Sequence, residues 1–139
     1  MSIMNVFRMS EDLRISLGLV FMACLLSGCG SNGKNPTMEE NAAKGEILFQ
    51  SVGCTQCHSL SGETMYGPAL NNILGTTIRV VQSGKEKSLT VDREYIHRSI
   101  EKPEYEKLLQ FESRKMPRTE LSEEQINQIT DYLISINEQ

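Results

Sequence analysis

Cys54-Thr55-Gln56-Cys57-His58 is the stretch on which the reading of this chain turns. A pair of thiols followed at once by an imidazole, C-x-x-C-H, is the attachment pattern of a c-type haem. Each residue has a chemical reason to be there. Thiols at Cys54 and Cys57 can add across the two vinyl groups of one porphyrin and fix it covalently. His58, next in sequence, then has an imidazole nitrogen placed to bind the iron. In that reading the chemistry belongs to the haem, while the protein sets its ligands, burial and exposure.

Other uses of these residues compete. A structural zinc site needs four ligands, usually in two pairs. Of the four cysteines only Cys54 and Cys57 lie beyond residue 30, and the chain has two histidines in all. A thioredoxin-like pair belongs at a strand-to-helix turn inside a βαβ pattern, and the sequence shows no such pattern. A plain disulfide is open in an oxidising compartment, but it does not require His58.

Upstream, residues 1–28 read as an export signal. Residues 1–14 mix Arg8 and Arg14 with Glu11 and Asp12, and residues 15–27 form an apolar run. That run is short of the ~20 residues of a spanning helix and suits a signal-peptide core. It ends in Leu26-Ser27-Gly28-Cys29, which resembles the bacterial lipobox. In signals of that kind Cys29 becomes the first residue and carries a diacylglyceryl group. An ordinary signal peptide with a chance cysteine, or an uncleaved anchor, are the plainer alternatives. Cys24 lacks the small residues before it and reads as filler. Buried acyl chains hold a protein at a membrane surface at ~0.8 kcal/mol per methylene. The expected location is therefore the outer, periplasmic or extracellular, face of a bacterial membrane.

Residues 29–36 read as the lipidated cysteine and a flexible tether, Gly-Ser-Asn-Gly-Lys-Asn-Pro after Cys29. Residues 37–139 remain as one small domain of ordinary size. Only 39% of the chain is apolar, so its core is modest, and a buried haem would enlarge it.

Three helices are predicted. Thr37-Met38-Glu39-Glu40 matches a capping box, and Ala42, Gly45, Phe49 and Val52 then share one face. Gly45 inside that helix costs ~1 kcal/mol against alanine, which suggests another backbone close by. Residues 91–100 follow, with Asp92 as N-cap, Val91 and Ile96 as a hydrophobic staple, and Pro103 as the stop. Residues 105–111 suggest a short helical turn. Ser122-Glu123-Glu124-Gln125 opens the last helix with a second capping box, stapled by Leu121 and Ile126. Ile126, Ile129, Leu133 and Ile136 mark its buried face, with Tyr132 beside it. No stretch shows a convincing strand period, so the predicted class is all-α, three to five helices around one covalent haem.

The order of these features resembles the small soluble cytochrome c family: capped helix, Cys54-x-x-Cys57-His58, Gly67-Pro68-Ala69-Leu70, middle helix, Met116-Pro117, C-terminal helix. The resemblance spans nearly all of residues 37–139. It is most similar to the cytochrome c domain fused to subunit II of some haem-copper oxidases. The stretch from Val91-Asp92-Arg93 to Pro103, and Lys115-Met116-Pro117 through Leu121-Ser122-Glu123-Glu124, look like that domain's second half. The chain departs from that pattern in having a lipid signal and a tether where the oxidase subunit has membrane helices and a copper domain.

The resemblance implies roles. Cys54 and Cys57 would form thioethers to one haem c, and His58 would be the proximal iron ligand. The Pro68 carbonyl would accept the other imidazole N–H, a bond that fixes ring orientation and basicity. Met116 would be the distal ligand, with Pro117 shaping its loop. Gly45 and Phe49 would pack on the C-terminal helix near Tyr132.

Beyond the signal segment the methionines are Met38, Met65 and Met116. Met116 could be a core plug, as methionine often is. Met38 sits in a first helical turn, and Met65 is close in sequence to His58, a short reach around a porphyrin. Met116 lies between two helical segments, where a loop can wrap the far side. His97 is the rival ligand, but it falls beside Arg98, away from Ile96 and Ile100, and reads as solvated. Arg79 could pair with a haem propionate, since guanidinium suits carboxylate, or be a solvated loop arginine.

His/Met ligation saturates iron and leaves no place for oxygen, peroxide or substrate, and thioether sulfur raises the potential. The first expectation is a membrane-tethered one-electron carrier and no enzyme. It would take electrons from a quinol-oxidising complex and pass them to a terminal oxidase or reductase of a respiratory chain. A tether keeps it at high effective concentration near both partners. A permanently docked haem subunit of such a complex is the second expectation. A haem ligand sensor or small peroxidase is the third, and needs Met116 off the iron. The formal net charge of -4 and the basic-poor C-terminal stretch argue against nucleic acid.

Overall fold

The computed structural model describes residues 36–138. The signal and tether readings, including Cys24 and Cys29, lie outside them. Residues Pro36–Gln139 form one compact unit. Three α-helices frame it: α1 (Met38–Ser51), α2 (Arg93–Glu101) and α3 (Glu123–Ser135).

Each helix starts where the sequence signals it. Thr37 and Glu40 cap each other's amides at α1, and Ser122 and Gln125 do the same at α3. Asp92 accepts from the Tyr95 amide at α2. These caps satisfy amides that the first helical turn leaves unpaired. Ala42, Gly45 and Phe49 are the buried face of α1. They meet α3, where the Phe49 and Tyr132 rings lie 5.7 Å apart. Ile96 of α2, Val91, Ile129, Leu133 and Ile134 complete one apolar cluster.

The structure corrects the all-α expectation. Thr77–Gln82 is a strand, β1, paired antiparallel with β2, Lys85–Thr90, in the register Thr77 with Thr90 and Gln82 with Lys85. Ser83 and Gly84 between them both have positive φ, 52° and 73°, the geometry of a two-residue primed turn. Such a turn matches the twist of the strands it joins. A two-residue strand β3, Lys107–Leu108, adds to the other side of β1, giving the order β2-β1-β3. Val80 of β1 is fully buried and Ile78 packs against the apolar cluster, which seats this small sheet on the domain. The turn expected over residues 105–111 is β3 followed by a 3₁₀ turn, Leu109–Phe111. No helix among the described residues is long and apolar enough to cross a membrane.

Candidate functional site

After α1 the chain tightens into a 3₁₀ turn, Cys54–Gln56. The amides of Cys57 and His58 both donate to the Cys54 carbonyl, at 3.1 and 3.0 Å. That turn brings Cys54, Cys57 and His58 onto the wall of one cleft. The Gly67 amide donates to the Cys57 carbonyl at 2.8 Å, and the Leu70 amide to the Ser59 carbonyl at 2.9 Å. Residues 67–70 therefore run beside the motif. This places the Pro68 carbonyl 2.9 Å from His58 Nδ1. A carbonyl only accepts, so Nδ1 carries the proton and donates, and Nε2 of the neutral ring keeps its lone pair. Burial lowers the His58 pKa, with the Pro68 bond acting partly against it. The neutral, metal-binding form is thus the favoured one.

Gly67 makes room for the ring. A Cβ there would lie 2.5 Å from His58 Cε1 and 2.9 Å from Nδ1. Cys54 and Cys57 are free thiols. Burial pushes the Cys54 pKa up, its own backbone contact lowers it, and neighbouring Cys57 raises it again. The group is held as a thiol.

The cleft is lined mainly by apolar side chains, some from α1, α2, α3 and β1 and the greater part from the segments 54–73 and 103–121, and its atom-free space is about 1380 Å³ including the open mouth. Half-buried Met116 lines the same cleft, with Pro117 beside it. His58 and Met116, distant in sequence, are therefore brought to one space. Arg79 is not. It sits on β1 with its side chain 65% exposed, paired with Glu86 across the hairpin, and it does not line the cleft. His97 is also elsewhere, its Nε2 3.0 Å from Glu123 Oε1. Met65 is exposed on the turn beside Gly67.

Sequence reasoning passed over two cleft residues. Glu106 is buried, and its carboxylate accepts from Lys87 Nζ at 2.5 Å and from Arg98 Nη2 at 2.9 Å. Desolvation pushes its pKa up, but the hydrogen bonds from Lys87 and Arg98 win and leave it lowered. Arg114 lines the cleft and donates to the backbone carbonyls of Met65 and Tyr66. Neither residue belongs to a periodic pattern. Only a basic cluster just before Met116 hinted at Arg114.

Among the described residues no group of three or more His, Cys, Asp or Glu is placed to hold a metal ion. The cytochrome c family model matches residues 42–137, most of the chain, and the chain belongs to that family. The family is one of haem-based electron-transfer proteins, which typically hold haem c through cysteines. No curated protein matches the chain. The site fits such a group on its own geometry: an apolar cleft, two free thiols, one imidazole with its outer nitrogen available, and a thioether lining the same cleft.

Proposed function

We propose that this protein is a one-electron carrier holding a single haem c in the cleft, joined by thioethers to Cys54 and Cys57 and ligated by His58 and Met116. It works tethered by lipidated Cys29 to the outer face of a bacterial membrane. Its partners are a quinol-oxidising complex as donor and a terminal oxidase or reductase as acceptor. The haem, when bound, supplies reversible one-electron exchange at iron.

One convergence supports the reading: His58 and Met116 line the same apolar cleft as two free thiols. The residues do the rest. Pro68 orients the imidazole and sharpens its basicity through Nδ1. The apolar walls exclude water, which disfavours charge on the iron centre and strengthens each remaining polar contact. Met116 blocks the position that an exogenous ligand would need, so the site moves electrons and does not bind substrate. Sulfur ligation favours the ferrous state and raises the potential.

Mass measurement of the denatured protein tests the covalent part. Wild type retains the mass of one haem, and the Cys54→Ser, Cys57→Ser double variant yields no stable holoprotein. A double variant that stays folded and tightly haem-bound contradicts the thioether assignment.

A further inference from the structure

Arg114 stands two residues before Met116 and lines the same cleft. Its Nη1 donates to the carbonyls of Met65 and Tyr66, at 2.9 and 2.6 Å. The guanidinium lies over two rings, 5.5 Å from the Tyr66 centroid and 5.0 Å from that of Phe111. Phe111 is buried, and its carbonyl accepts from the Arg114 amide at 2.9 Å. The Lys115 amide reaches Tyr66 Oη at 3.4 Å. On the other side of this contact, Gly67 is bonded to the Cys57 carbonyl and packed against the His58 ring.

We propose that Arg114 is a positioning residue that holds the Met116 segment closed over the cleft by clamping it to the turn that supports His58. The inference rests on Met116 being an iron ligand. Residues 112–115 are exposed and form no helix or strand, so the segment leading to Met116 belongs to the more easily opened parts of the fold. A planar guanidinium can bond two carbonyls and stack on aromatic faces at once, and an ammonium cannot do both. Opening the segment would free the distal position. An added ligand then competes in proportion to the open fraction, so its apparent affinity reports the clamp.

The experiment titrates ferric holoprotein with imidazole, following the methionine–iron charge-transfer band, for wild type, Arg114→Gln, Arg114→Lys and Arg118→Gln. Loss of the charge-assisted bonds predicts imidazole binding about tenfold tighter in Arg114→Gln. Arg114→Lys falls between. Arg118→Gln removes the same charge from the same exposed stretch and leaves the affinity unchanged. Equal affinity in Arg114→Gln and wild type, or an equal rise in Arg118→Gln, overturns the proposal. Should Arg114→Gln yield no folded holoprotein, the comparison of Arg114→Lys with Arg118→Gln decides in the same way. A wild type lacking the methionine–iron band removes Met116 as ligand and the positioning role with it. Amide exchange at Lys115 tells the failures apart, because faster exchange in Arg114→Gln shows a real clamp acting on something other than the ligand.

Discussion

Gly45 of α1 and Gln128 of α3 are in direct backbone contact: a Cβ on Gly45 would lie 1.9 Å from the Gln128 carbonyl oxygen and 2.9 Å from Tyr132 Cβ. Gly45→Ala thus sets two effects against each other. Helix propensity favours alanine by ~1 kcal/mol. Overpacking against a rigid backbone costs ~1–3 kcal/mol, and here the clash is with a carbonyl that cannot rotate away. The clash wins, and the urea midpoint falls by an amount equal to about 2 kcal/mol. A stabilised alanine variant would mean that α1 and α3 do not approach this closely.

The Gly67–His58 contact is the same device applied to the site. In Gly67→Ala the new methyl displaces the imidazole and breaks its bond to the Pro68 carbonyl. Loss of such a supporting bond weakens metal binding by ~10–100-fold in comparable sites. The expected result is a lower yield of holoprotein, a shifted midpoint potential and easier exchange of the His58 ligand, all read from redox titration and spectra. An unchanged potential counts against the ring geometry.

Glu106 gives the fold an acid dependence. Its folded pKa is lowered from 4.5 by Lys87 and Arg98, against the opposing effect of burial. The unfolded state then binds the proton more readily, so stability is fully present above the ordinary carboxylate range and is lost as pH falls through the folded value. Glu106→Gln leaves both cations without their counter-charge. The expected loss is ~1–2 kcal/mol near neutrality, discounted because Lys87 and Arg98 are partly exposed. The gap between wild type and variant closes as pH falls through the lowered folded value of Glu106. A gap that stays constant across that range shows that the carboxylate charge contributes nothing.

Cys29 is the test of the tether. Cys29→Ser keeps an export signal but removes the thiol that carries lipid. Wild type is expected in the membrane fraction, and the variant in the soluble exported fraction with its spectrum unchanged. Two acyl chains bind membranes far more firmly than one, so the shift is close to complete. Equal partitioning of the two proteins removes the lipid anchor from the account.

Much of the site was legible because its residues are fixed by local chemistry. The C-x-x-C-H turn needs its five residues in sequence, both capping boxes are four-residue patterns, and Gly45 stood out as a costly residue inside a helix. The hairpin was not legible. Lys-Glu-Lys-Ser-Leu-Thr in β2 has almost no apolar alternation, because all of its residues except half-buried Leu89 are exposed and the pairing is carried by main-chain hydrogen bonds. The signal that was there is the Ser83-Gly84 pair after the β-branched run of β1. Missing it left Arg79 in an imagined loop, free for a propionate, when the strand aims it at Glu86. Arg114 and Glu106 act through long-range contacts, and no short pattern encodes those.

The most direct measurement is the visible spectrum of the purified protein, oxidised, reduced, and reduced with carbon monoxide. A carrier ligated by His58 and Met116 gives a low-spin c-type spectrum, a methionine–iron charge-transfer band in the oxidised form, and no change on adding carbon monoxide. Ready carbon monoxide binding, with no methionine band, would contradict it: the distal position would be open, Met116 would not be a ligand, and a ligand-sensing or peroxidase role would replace the electron carrier.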